Sequence, residues 1–144
     1  MEIKVFLDTN ILIDYLLETR ERHSLAKEII SICYEGELYG CISETVITNT
    51  AYVVQKNLNQ KQLNFVFAGF CSFLEVLAAS SELIIKACNS NITDLEDSIL
   101  YNIALENDCQ FFITSNLPDF QSISQPSLPI VSPETFLEWY KNKK

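Results

Sequence analysis

The sequence has little of what interrupts regular structure: 3 glycines and 4 prolines in 144 residues. That scarcity excludes low-complexity linkers and long Gly/Pro-rich loops. It leaves one domain-sized chain, without internal repeats, whose core can bury most of its apolar surface. Histidine occurs once, at position 23, which excludes a multi-histidine metal site. In "RERHSLAK" His23 reads as an exposed residue at a helix start. The five cysteines (33, 41, 71, 88 and 109) are odd in number and never spaced as CxxC. Neither a disulfide framework nor a zinc knuckle is expected, and reduced thiols in a cytoplasmic setting fit best. No apolar run approaches the roughly 18 residues of a membrane-spanning helix. "MEIKVFLDTN" also lacks the basic leader and apolar stretch of a signal peptide. Positive charge is scarce too: 10 Lys and Arg against 19 Asp and Glu leave a net charge of −9. This excludes a broad nucleic-acid-coating surface. It does not exclude an enzyme that meets RNA or DNA at one cation-filled pocket, because the ion inverts the local charge.

What is present is an alternation of short apolar runs and helical periodicities. "IKVFL" (3–7), "LYGCI" (38–42), "LEVL" (74–77), "QFFIT" (110–114) and "LPIV" (128–131) read as buried strands. Between them the spacing predicts helices over 10–18, 22–35, 44–56 with Ser43 as N-cap, 60–71, 80–88 and 94–107. A closing helix begins with Ser132 as N-cap and Pro133 in the first position, where its missing N–H and fixed φ are favourable. Strands alternating with helices imply an α/β fold with a parallel sheet covered on both faces. In such sheets ligands gather beyond the carboxyl ends of the strands.

That rule maps the acids. Asp8 and Asn10 follow the first strand, and Ser115, Asn116 and Asp119 follow "FFIT". Asp94 and Asp97 are three apart, so a helix places them on one face. Leu95, Ile99, Ile103 and Ala104 form a separate apolar stripe suited to packing on the sheet. Thr93 and Glu96 fit a T-x-x-E capping box, which gives Glu96 a structural role. Singly, Asp8 could be a turn residue, Asp94 a first-turn acid favoured by the helix dipole, and Asp97 a solvated surface acid. Together, acids from three places on one edge of one sheet form a cluster that is costly unless a cation neutralises it. All-oxygen donors suit Mg²⁺ or Mn²⁺ rather than zinc. Such an ion supports phosphate-ester hydrolysis by activating water and steadying the leaving oxygen.

The ordered segments "FLDTNILID", "ISETVITNTAYVVQK", "DLEDSILYNIAL", "FFITSNLPDF" and "IVSPETFLEWY" resemble the PIN domains, including VapC-type toxin ribonucleases, over essentially the full chain. The resemblance implies a Rossmann-like α/β/α sandwich, its central sheet mostly parallel, with an acidic pocket for Mg²⁺ or Mn²⁺. It further implies metal-dependent endoribonuclease activity on RNA, frequent homodimers, and often a small antitoxin partner. Carried over by position, the first family acid is Asp8 with Asn10 beside it, and the later D-x-x-D is Asp94 and Asp97. The T-x-N-x-x-D-F loop is Thr114, Asn116, Asp119 and Phe120, with Ser115 inside it.

One position departs. The helix glutamate usual in the family falls on Asn49, which keeps an oxygen and loses a charge. A unit-charge interaction near 4 Å is worth about 4 kcal/mol at an effective dielectric of 20, so weaker metal binding is expected. Glu44 is a poor substitute, since five helical residues carry it about 140° around and about 7.5 Å along the axis. Three functions therefore compete. The first is a nuclease with Asp8, Asp97 and Asp94 on the metal, Asn116 and Asp119 completing the shell, and Arg20, Arg22, Lys56 and Lys61 as candidate phosphate contacts. The second is a degenerate PIN fold that binds RNA or protein without cutting. The third is a phosphatase with Asp8 as nucleophile, which needs an acid where Asn10 stands.

Overall fold

In the computed structural model, which describes residues 2–90, 94–120 and 123–143, five strands form one sheet. They are β1 (Ile3–Leu7), β2 (Leu38–Ser43), β3 (Glu75–Leu77), β4 (Phe111–Ile113) and β5 (Ile130–Val131), in the order β3-β2-β1-β4-β5. The pairing is parallel throughout, where a mostly parallel sheet was expected; Val5 of β1 stands between Gly40 of β2 and Phe111 of β4. Eight helices connect and cover the strands: α1 (Thr9–Leu16), α2 (His23–Tyr34), α3 (Glu44–Val54), α4 (Gln60–Cys71), α5 (Ser81–Cys88), α6 (Leu95–Glu106), α7 (Leu117–Phe120) and α8 (Pro133–Lys143).

Local chemistry explains where these helices begin. Ser43 ends β2 and caps α3 by accepting from the Val46 N–H at 3.3 Å. Asn59 and Gln62 exchange side-chain bonds with each other's backbone N–H at 2.9 Å, a capping box that opens α4. Ser132 accepts from the Thr135 N–H at 3.1 Å ahead of Pro133, as the sequence predicts. α7, a single turn inside the loop after β4, was not expected.

Phe6 of β1 and Phe112 of β4 are paired in register and stack at 5.2 Å. Tyr101 of α6 and Phe120 of α7 close on Phe112 at 5.7 and 4.7 Å, so these helices cover that face. Right-handed crossovers put the helices between β1, β2 and β3 on the opposite face. The result is the expected three-layer α/β/α arrangement.

Two details, at Leu95 and His23, correct the sequence expectations, and a third, at Phe65, adds to them. Leu95, assigned to the sheet-facing stripe, is exposed, while Ile103 and Ala104 are buried. Phe65 of α4 is 81% exposed, leaving Phe70 as that helix's buried aromatic. His23 is half-buried, its Nδ1 lying 2.9 Å from the Asp14 carbonyl oxygen across the α1–α2 corner. Among the described residues no helix is long and apolar enough to cross a membrane. All five cysteines are free thiols, and Cys33, Cys41 and Cys109 are buried.

Candidate functional site

β1 and β4 lie side by side, yet their onward connections part: the chain leaves β1 toward β2 and leaves β4 toward β5 on the other side. This makes a topological switch point, where the flanking layers separate and a crevice opens beyond the strand ends. Asp8 sits at its floor.

Asp8 is the N-cap of α1 and is only 6% exposed. Its Oδ1 accepts from the Thr9 N–H at 2.8 Å. Its Oδ2 accepts from Asn10 Nδ2 at 3.1 Å and from the Thr114 hydroxyl at 2.8 Å. A carboxylate offers about four acceptor positions, so one remains open, on Oδ1. Asn10 also accepts from the Ser115 N–H at 3.0 Å, and the Asn116 N–H donates to Thr114 Oγ1 at 3.0 Å. Asn10, Thr114 and Ser115 thus tie the two strand ends together around Asp8. Thr9 Oγ1 and Ser115 Oγ are buried without a hydrogen-bond partner among the described residues.

The remaining acids approach from the other side of the crevice. Asp94 is the N-cap of α6 and accepts from the Asp97 N–H at 3.0 Å. Asp119 is bonded to the Asn116 amide. The Asp97 carboxyl is pushed up to about 7, first by burial and then by the charges of Asp94, Asp8, Asp119 and Glu96. Asp8 is raised as well, mainly by burial; its hydrogen bonds from Thr114 and Thr9 oppose the rise and the charge of Glu96 adds to it. Five carboxylates from three stretches of chain therefore share one electrostatic field.

They share a field without yet forming a coordination shell. Among the described residues, no group of three or more His, Cys, Asp or Glu side chains is drawn close enough to hold an ion as it stands. The donor chemistry nevertheless fits a hard divalent cation. Every contributor is oxygen, Asp8 has fewer hydrogen bonds among the described residues than its carboxylate can accept, and Asp97 adds the charges of four neighbouring acids to the cost of its own burial.

Other predicted residues are placed differently. Glu96 does not close a capping box: Asp94 is the cap and Thr93 lies outside the described residues. Instead Glu96 Oε1 accepts from the side-chain amide of Asn49 on α3 at 2.8 Å. Sequence reasoning missed this site-facing role because T-x-x-E is the signature of a helix start. Arg20 pairs with Asp14 at 2.9 Å and Arg22 with Glu134 at 3.1 Å, each through Nε alone. Lys56 and Lys61 are exposed and make no ion pair among the described residues.

The family model of the PIN domain matches residues 4–117, four-fifths of the chain and all of the site just described except Asp119. The chain belongs to the PIN-domain family. Its sequence is 26% identical over 140 residues to Ribonuclease VapC1 of Aquifex aeolicus (strain VF5), covering 94% of each chain. Among solved structures it resembles VapBC2 from Rickettsia felis bound to a DNA fragment from their promoter, with a TM-score of 0.67 and 18% identity over 90% of this chain and 98% of that one. A toxin–antitoxin complex from Klebsiella pneumoniae gives 0.65 and 24% over 90% and 97%. At such identities these structures establish the fold. The residues of this PIN domain carry the functional argument.

Proposed function

We propose that this PIN domain is an endoribonuclease that hydrolyses phosphodiester bonds at the acidic crevice with Mg²⁺ or Mn²⁺. The observation that carries the reading is the placing of Asp8 at the switch point beyond β1, buried and tied by hydrogen bonds to the β4 loop, with Asp97 pushed up to about 7 by burial first and then by the charges of Asp94, Asp8, Asp119 and Glu96. Asp8, Asp97 and Asp94 would hold the cation, which when bound supplies an electrophile for a phosphate oxygen and acidifies water. The chain's own groups do the positioning. Asn10 and Thr114 fix the Asp8 carboxylate through its Oδ2. Asn116 and Asp119, bonded to each other at the rim, orient the attacking water for in-line displacement, leaving a 5′-phosphate and a 3′-hydroxyl. The name of the Aquifex relative, a ribonuclease, supports RNA as substrate.

The phosphatase reading loses further ground. The Asn10 amide is spent on Asp8, Thr114 and Ser115 and cannot protonate a leaving group. Binding without cleavage remains the rival that Asn49 favours.

A protein partner also fits. A groove of about 590 Å³ between α1, α2 and α4 is lined by Tyr15, Leu16, Tyr34, Phe65, Phe70 and Phe73, an open and largely apolar surface. The toxin–antitoxin complex among the structural neighbours supports an antitoxin as a partner, and the groove is the surface to which we assign it. Homodimerisation, the other association the resemblance implies, is checked by sedimentation of the purified chain.

The deciding experiment compares wild type with Asp8→Asn on RNA with Mn²⁺, with Mg²⁺ and with chelator. Wild type should cut only with metal, and the variant should lose at least about a hundredfold in rate, as expected when a transition-state interaction is removed. Equal cutting by both proteins would assign the activity to a contaminant. Metal binding without cleavage would select the non-cutting rival.

A further inference from the structure

The Asn49–Glu96 bond has no part in the roles assigned above. α3 and α6 belong to opposite layers of the sandwich, and this contact spans the crevice between them. Three observations converge on Glu96. Its Oε1 is held at 2.8 Å by the Asn49 amide. Asp94 and Asp97, two of the acids assigned to the cation, stand within two residues of it at the same helix start, so the bond to Asn49 holds its carboxylate beside them. No cation neutralises it, since Glu96 makes no ion pair among the described residues. A first-turn acid gains from the helix dipole anywhere around that turn; the dipole does not explain a lock onto α3.

We infer that Glu96, steered by Asn49, supplies the cation pocket with the carboxylate charge that α3 itself lacks. The inference rests on the proposed cation pocket and reverses one consequence of the sequence. Asn49 does not simply subtract a charge. It serves as the donor that fixes a charge contributed from α6. An amide at position 49 can hold the Glu96 carboxylate, whereas a carboxylate there would repel it. Asn49 is accordingly a positioning residue, and Glu96 acts on the cation through its charge.

The test uses the full chain and measures Mn²⁺ affinity by calorimetry, the melting temperature in chelator, and RNA cleavage. Glu96→Gln keeps the size and the hydrogen bond to Asn49 and removes only the charge. It should bind Mn²⁺ roughly 10-fold or more weakly, the scale seen for groups supporting metal ligands, without a lower melting temperature. Asn49→Glu alone should lower the melting temperature in chelator and fail to raise activity, because it sets two carboxylates against each other. The exchange Asn49→Glu with Glu96→Gln moves the charge back onto α3 and should recover both affinity and cleavage. Wild-type Mn²⁺ affinity in Glu96→Gln, alongside lost affinity in Asp8→Asn, would overturn the role of Glu96 and leave the pocket standing. A wild-type chain that binds no Mn²⁺ at millimolar concentration would overturn both.

Discussion

Thr114 shows how much of the site depends on a single hydroxyl. It is fully buried, donates to Asp8 Oδ2 at 2.8 Å and accepts from the Asn116 N–H at 3.0 Å, linking the crevice floor to its rim loop. Thr114→Val keeps the shape, takes one bond each from Asp8 and from the Asn10 amide, which lies 3.2 Å from Thr114 Oγ1, and strands the Asn116 N–H. Unsatisfied buried groups cost about 1–3 kcal/mol, so urea unfolding should show a loss of that size, with weaker Mn²⁺ binding. An unchanged midpoint would mean that the loop and Asp8 are held by other contacts. Asp8 and Asn10 were legible in the sequence because they follow a largely apolar strand, where a polar side chain needs a reason, whereas Thr114 stood out only through the loop pattern of the PIN domains. Glu96 was not, because one spelling serves two purposes: an acid three residues after Thr93 reads as a cap, and only its distance from α3 reveals otherwise. The pairing of Arg20 with Asp14 and of Arg22 with Glu134 was not legible either, since sequence proximity to a motif says nothing about which acid a cation meets.

At the scale of elements, periodicity located every helix of eight residues or more, but it was weaker at deciding which face turns inward. α4 is the clearest case. Its capping box fixes where it starts, and Phe67 and Phe70 pack inward while Phe65 points to solvent beside Val66, so the helix presents apolar surface on two sides. Spacing alone cannot say that one side is the core and the other the wall of a groove. An aromatic 81% exposed contributes little to folding, and substitutions at such positions usually change stability by within about 0.5 kcal/mol. Phe65→Ser should therefore leave the melting temperature unchanged while weakening capture of the proposed antitoxin, measured with the two chains co-expressed and the complex sized by gel filtration. An undiminished complex would place the partner elsewhere. A collapse in stability would show that the groove wall is part of the core.

For the whole molecule, the question is how a chain with a net charge of −9 tolerates a further concentration of acids at one crevice. The sheet and its layers hold Asp8 and Asp97 where their ionised forms are disfavoured, so protons and cations compete to relieve the same strain. The sign follows from linkage. The Asp97 carboxyl titrates at about 7 in the folded chain against an ordinary value of 3.8, and Asp8 is displaced in the same direction. Between those limits the folded state keeps a proton that the unfolded chain has released, and stability falls as pH rises through the window. In chelator the melting temperature should decline from about pH 5.5 to about pH 8, beyond the decline that charge self-repulsion alone produces. Asp97→Asn isolates the difference, because it keeps nearly all of the net charge while removing the titration, and its profile should be flatter. Mn²⁺ binds the ionised carboxylates, so it should raise the wild-type melting temperature more at about pH 8 than at about pH 5.5. A wild-type profile in chelator that parallels Asp97→Asn throughout would mean that the acids do not strain the fold, and the electrostatic case for a shared cation would lose its foundation.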